Sequence, residues 1–305
     1  MGAAQTIASQ LARVENKPQE AELKTGGGEP VLVPSAEGRT VDFNDLTDRL
    51  TGVLADAAPR GVDAKMIVTK PASSGDDLVR TGVKEKISSF TTYFSGGEDR
   101  NKNIITVARK VDGAEIKPGE TFSLNGYTGE RGYAQGYVDA PVILDGKLVN
   151  AVGGGISQFT TTLFNASYYA GFQDVQHQPH SYYISRYPSV IESTIFWPTL
   201  DLKFKNDSPY GALIDTSYTD HSITVSIWST KRYDVSTQWG PKQDVTQPET
   251  KYLGTDPGCI ATQGSAGFTQ DAWRIFRQGG KEVKREKFSW RYDAEPHFVC
   301  ADPPK

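Results

Sequence analysis

Two cysteines, two methionines and four histidines are all that 305 residues offer of these types. With so few soft ligands, and with Cys259 and Cys300 far apart in sequence, neither a structural zinc site nor a cofactor is expected. Positive charge is short as well. Thirty-three Lys and Arg stand against 37 Asp and Glu, for a net charge of −4, and the basic residues are scattered, so the field a nucleic-acid partner requires is missing. No apolar run approaches the roughly eighteen residues of a membrane-spanning helix, and no charged start leads into the apolar stretch of a secretion signal. Absent too are a Gly-Lys-Ser/Thr phosphate loop, a GxGxxG turn, a repeat of fixed period and a sustained heptad. What remains is 37% hydrophobic and 10% aromatic, enough to bury a core.

The first 28 residues are polar and run into Gly26-Gly27-Gly28, which reads as a flexible lead-in. Pro30–Pro34 then reads as a strand. Phe43, Leu46, Leu50, Val53 and Leu54 recur at helical spacing behind a capping Asp42, and Lys65–Thr69 reads as a second strand, which together make a small α+β unit. Ile104, Ile105, Val107, Ala108 and Val111 predict another helix, closed by Asp112-Gly113. Asp145-Gly146 between Ala140–Leu144 and Lys147–Val149 predicts a hairpin. Strands are expected at 182–186, 193–197, 200–205, 211–218 and 222–229, and a hairpin about Gln278-Gly279-Gly280. The fold class is therefore α+β: mainly antiparallel sheet around a central helix, with a small α+β unit before it and a β-rich extension after it. A single Cys259–Cys300 disulfide closing that extension is the better reading of the two cysteines, and two unpaired thiols are the alternative.

The central helix begins at Gly153-Gly154-Gly155, carries Phe159, Leu163, Ala166 and Ala170 on one stripe, and ends at Gly171. Three glycines let the backbone approach a ligand, and free N–H groups at a helix start favour a negative group. Ser157 stands in that polarising position, either as a nucleophile or as the helix cap whose hydroxyl satisfies the N–H of Phe159 or Thr160. His180 follows far enough downstream for the chain to return as a base beside it. Glu192 or Asp201 could set its tautomer, unless each is an ordinary solvated carboxylate. Arg131 and Arg186 are candidate partners for a substrate carboxylate, or surface arginines.

The blocks FSLNGYTGERGYAQGYVDAPVILDGKLVNAVGGGISQFTTTLFNASYYAGF, PHSYYISRYP and DLKFKNDSPYGALI resemble the VanW domain of bacterial cell-envelope proteins, a family named from glycopeptide-resistance gene clusters. PVLVPSAEGRTVDFNDL resembles the C-terminal part of the peptidoglycan-binding domain that often precedes it. On this basis the expected division is a lead-in at 1–28, a partial peptidoglycan-binding unit at 29–98, the VanW domain at 99–230 and the extension at 231–305.

The resemblance implies an extracytoplasmic protein directed at peptidoglycan stem peptides, natively held by a membrane anchor missing from this chain. It also implies an L,D-transpeptidase scaffold in which a cysteine after the glycine turn attacks a stem-peptide carbonyl. The cysteine position falls on Ser157, the following glutamine on Gln158, the family histidine on His180 and its acidic position on Glu192. Gly153, Gly154, Gly155, Gln158, Arg186 and Arg131 would hold substrate. Serine in the cysteine position matters, because a hydroxyl must lose its proton to a base during attack whereas a thiol ionises near neutrality. Binding without turnover, serine-based acyl transfer and a purely structural role all follow as readings.

Overall fold

The computed structural model describes residues 14–24, 31–53, 55–57, 61–71, 81–144, 146–255 and 258–304. Most of the expected lead-in, together with Pro30, Leu54 and the hairpin residue Asp145, lies outside the described residues. The chain divides into two compact units, Met1–Arg80 and Thr81–Lys305.

The first unit holds two antiparallel pairs, β1 (Glu22–Lys24) with β2 (Val31–Val33) and β3 (Gly38–Val41) with β4 (Met66–Thr69). Between β3 and β4 lies helix α1 (Phe43–Gly52), whose N-cap Asp42 accepts from the Asp45 N–H at 3.1 Å. The helical spacing is real, but its stripe is not covered: Phe43 and Leu50 are exposed, and no residue of α1 is buried.

The second unit is built about a four-stranded antiparallel sheet and two helices. The sheet order is β5 (Glu85–Tyr93), β13 (Ser222–Ser229), β12 (Ala212–Thr219) and β6 (Glu115–Ile116). Helices α2 (Asp99–Val111) and α4 (Ile156–Tyr169) pack on it and on each other. The short helix α3 (Leu124–Thr128) follows β7 (Thr121–Ser123), which joins β11 (Lys203–Lys205) and β10 (Gln173–Gln176) in a three-stranded sheet. The expected hairpin forms between β8 (Asp139–Leu144) and β9 (Lys147–Val152) and delivers the chain to the glycines.

Helix α4 carries more than the one apolar stripe expected of it. Every residue of it is buried except Ser157 and Tyr169. Its polar residues Thr160, Thr161, Thr162, Asn165 and Ser167 are all hydrogen-bonded within the protein, which is what permits a threonine-rich helix to sit at the centre of a core.

Beyond the sheet, β14 (Asp234–Trp239), β15 (Gln243–Thr246) and the long hairpin β17 (Gly267–Gln278) and β18 (Lys281–Tyr292) form a second antiparallel sheet. Ala272 belongs to the main core, and Phe288 and Trp290 pack against it. The short strands β16 (Thr250–Tyr252) and β19 (His297–Val299) pair in parallel, and Cys259 and Cys300 are joined by a disulfide with Cα atoms 5.8 Å apart.

The expected strands at 182–186 and 193–197 do not form. Apart from isolated bridges at Tyr182 and Phe196, residues 177–202 are irregular. Pro179, Pro188 and Pro198 remove ladder donors, and Val190 takes a positive φ of 70°, which a β-branched residue adopts only under constraint. The segment is nonetheless held firmly, with Val190, Ile191, Glu192 and Ser193 all buried.

Candidate active site at the start of the central helix

The glycine turn is shaped first by what it packs against. Gly153 and Gly155 have φ of 83° and 91°, and Gly155 is the helix N-cap. A β-carbon on Gly154 would overlap the Ala140 carbonyl, and one on Gly155 would stand 2.8 Å from the Arg100 β-carbon. The side chain of Asn103, wholly buried, locks the turn: its amide donates to the Gly154 carbonyl at 2.9 Å and the Val138 carbonyl at 2.8 Å, while its oxygen accepts from the Val138 N–H at 2.8 Å. The close approach is therefore to hairpin β8–β9 and to α2.

Ser157 lies in the first turn of α4 and is not its cap. Its hydroxyl lies 3.1 Å from the Thr194 hydroxyl and accepts a long bond from the Ile195 N–H at 3.4 Å. Being partly exposed in an otherwise buried stretch, it is the point where the helix start meets solvent. No acidic residue occupies the first turn, and no side chain caps the helix.

The irregular segment brings His180 and Glu192 together. His180 Nδ1 is 2.7 Å from Glu192 Oε2, and the other carboxylate oxygen accepts from the Tyr292 hydroxyl at 2.8 Å. With both oxygens accepting, Nδ1 is the donor, so the neutral imidazole carries its lone pair on Nε2. Glu192 is 0% and His180 8% exposed. Tyr187 stacks on the imidazole with centroids 5.6 Å apart, and the Trp290 indole N–H donates to the His180 carbonyl at 3.0 Å. The Tyr292 oxygen also accepts from the strained Val190 N–H at 2.8 Å. Burial, reinforced by Glu192, pushes the Tyr292 phenol far above its ordinary pKa, so it stays a donor.

Glu192 is thus the acid behind His180. Asp201, the alternative, accepts from the Ser123 hydroxyl at 2.6 Å and the Asn125 N–H at 2.8 Å instead. Ser157 meets the irregular segment at Thr194 and Ile195, while Thr161 and Asn165, one and two turns further along α4, meet it at Ser193 and Ile191, on either side of Glu192. Among the described residues, no hydrogen bond joins Ser157 to His180; the serine hydroxyl turns to Thr194.

Two expected substrate contacts point inward. Gln158 is fully buried and donates to Thr92 Oγ1 at 3.1 Å and the Tyr93 carbonyl at 2.8 Å. Arg131, 8% exposed, donates to Asn125 Oδ1 at 2.7 Å and Thr128 Oγ1 at 2.9 Å. Arg186 is exposed, and its charge acts on both Tyr187 and Arg100.

Sequence reasoning missed Arg100, Thr194 and Tyr292. Arg100 follows two acids at a helix start with no motif around it. Tyr292 comes from the far C-terminal hairpin, 100 residues from Glu192, and only its folded register brings it here.

Residues 99–228 match the family described as VanW like protein, and residues 2–63 match that described as "Putative peptidoglycan binding domain". The chain is 28% identical over 218 residues to the uncharacterized protein YoaR of Bacillus subtilis, covering 71% of each. It is 26% identical over 142 residues to the vancomycin B-type resistance protein VanW of Enterococcus faecalis, covering 44% of this chain and 51% of that one. No solved structure matches the chain.

Proposed function

From a chain that carries a VanW-like domain at 99–228 behind a peptidoglycan-binding-type domain at its N-terminus, we propose a cell-wall protein that binds peptidoglycan stem peptides. On this reading it works outside the cytoplasm, on an L,D-transpeptidase-like scaffold, and binds its ligand without turning it over. The observation that carries the last point is the Ser157 hydroxyl, paired with Thr194 at 3.1 Å and, among the described residues, without a hydrogen bond to His180. A serine needs a base hydrogen-bonded to it to become a nucleophile, since its own pKa leaves it inert. The ligand would be met at the helix start by backbone N–H groups and by an arginine at the rim.

One observation favours a second reading, an active acyl transferase. A buried glutamate that fixes a histidine tautomer, itself held by a buried tyrosine, is the support a general base requires. This reading requires the Ser157 hydroxyl to leave Thr194 and to bond His180 Nε2.

Muropeptide titration followed by NMR and intact-mass analysis separates the readings. Binding without turnover predicts chemical-shift changes at residues 153–157 and 180–192 with no added mass. A covalent adduct on Ser157 would replace this reading with the transferase. Absence of any shift would leave only a structural role.

A further inference from the structure

Resting on the reading of the glycine turn as a ligand site, we propose that Arg100 and Arg186 form a two-guanidinium seat for one carboxylate of the ligand, at the Gly155 end of α4. Arg100 lies in the first turn of α2, and its side chain runs across Gly155, with Nε 3.3 Å from where a β-carbon there would be. Glycine at 155 therefore does more than turn the chain: it admits this arginine to the start of α4.

The charge balance points to an anion. The Arg100 side chain is 14% exposed, and among the described residues the carboxylate it pairs with is Glu98 at 3.9 Å, itself 46% exposed. At that distance and exposure the pairing is weak. Arg186 forms no ion pair among the described residues. Burial, and after it the charge of Arg186, pulls the Arg100 guanidinium below the ordinary arginine value. Two like charges held together without a strong counter-ion are unfavourable, and a bound carboxylate would relieve that.

Arg131 differs, since its guanidinium donates to both Asn125 and Thr128, whereas the neutral partner of Arg100 is the Tyr187 hydroxyl. The Tyr187 hydroxyl stands beside both Arg100 and Arg186. Burial pushes its pKa up to about 12 against the pull of those two charges, so it remains a third donor. Planar guanidinium forks suit a carboxylate, which they can grip in bidentate fashion. In a stem peptide that group could be the C-terminus or an acidic side chain.

The test is an NMR titration of the full chain with N-acetyl-D-alanine and with its amide, following the Nε–H signals of Arg100 and Arg186 and the Gly155 amide. The acid is expected to shift all three and the amide none. Arg100→Met and Arg186→Met should each weaken acid binding at least about tenfold, with Arg100→Lys retaining part of it. Stem peptides amidated at the C-terminus or at the side chain then identify the source of the carboxylate.

Equal shifts from acid and amide, or Met variants that bind the acid as wild type does, overturn the seat. Arg186 is exposed, so its variant remains informative should the Arg100 change unsettle the fold. If the small acid binds but muropeptides do not, the seat stands and the wall-binding function falls. If muropeptides bind wild type and both Met variants equally, the function stands and the seat falls.

Discussion

At the C-terminal end of α4 the Tyr168 carbonyl is met by an arginine from β17, whereas the first turn of α4 holds neither an acidic residue nor a side-chain cap. Arg274, 0% exposed, donates to the Tyr168 carbonyl and to the Phe172 carbonyl at 2.9 Å, and pairs with Glu286 at 3.3 Å. Two histidine–carboxylate pairs at 2.7 Å also lie near this helix, His177 with Asp174 and His180 with Glu192. His177 is walled in, stacked on Phe164 at 4.2 Å and against Phe288 at 5.7 Å. His180 instead belongs to the segment that bonds the partly exposed Ser157 through Thr194 and Ile195. A helix carries partial positive charge at its start and negative charge at its end. Here the protein has met one end with an arginine and left the first turn of the other without an acidic residue or a side-chain cap. The same dyad therefore reads as structure at His177 and as a site at His180.

The largest expected effect tests the closed end. Arg274→Met removes the guanidinium that donates to the Phe172 and Tyr168 carbonyls, leaving the latter only its bond from the Gly171 N–H and Glu286 only its pair with Lys284, which should lower folding stability by about 3 kcal/mol, read as a fall in the urea midpoint. Ligand binding at the open end should be unchanged in the folded fraction. A loss below about 1 kcal/mol would mean that the carbonyls find other partners and the two ends differ less than described. Next is Gly154→Ala, whose methyl must displace β8. About 2 kcal/mol is expected from overpacking, and because the turn must shift, muropeptide binding should weaken as well. A loss of binding without loss of stability would point to a ligand, and not β8, as the reason for glycine there.

A smaller effect appears only at high pH and belongs to the open end. The folded-state pKa of Tyr187 is raised to about 12, chiefly by burial, above the roughly 10 of an unfolded tyrosine. The stabilisation this represents is complete below pH 10 and is lost as pH rises toward 12. Tyr187→Phe has no proton to lose. Between pH 9 and 11 wild type should therefore lose about 1 kcal/mol more than the variant in parallel urea titrations, and since the other buried tyrosines are common to both, they cancel. Identical pH profiles would show that the hydroxyl is not held neutral beside His180.

The elements of this comparison were unequally legible in the sequence. The hairpin into Gly153, the helix to its end at Gly171, the strands at 212–219 and 222–229 and the hairpin at Gln278–Lys281 announce themselves, because period and turn residues are local signals. Strand β5 does not: its Glu, Lys, Ser and Thr residues do not read as a strand, though in the fold it pairs along the length of β13. The 177–202 segment misled in the opposite direction, its Tyr, Ile and Thr content suggesting strands that three prolines and the Val190 backbone prevent. Of the candidate residues, Ser157, His180 and Glu192 could be placed by resemblance to a family. Arg131 and Gln158 could not be told from surface residues, and Arg100, Arg274 and Tyr292 depend on long-range packing that no local pattern encodes.

The smallest expected change in stability, and the sharpest test of the open end, is Ser157→Cys. One atom changes at a partly exposed position, so the cost should be about 0.5 kcal/mol, the order of its hydrogen bonds to Thr194 and Ile195. The chemistry should change far more. A thiol at a helix start free of acidic residues has its thiolate favoured, and a thiolate needs no proton taken from it at the moment of attack. Offered a β-lactam, it would add to the ring carbonyl and break the C–N bond, with the leaving nitrogen taking its proton from His180 or water, and the protein should gain the mass of the intact β-lactam. Wild type should gain none, and Glu192→Gln placed on the cysteine variant should slow the reaction if His180 is the donor. An adduct on wild type would show that Thr194 does not hold Ser157 out of reaction. No adduct on the cysteine variant would show that the open end binds and nothing more, whichever residue stands at 157.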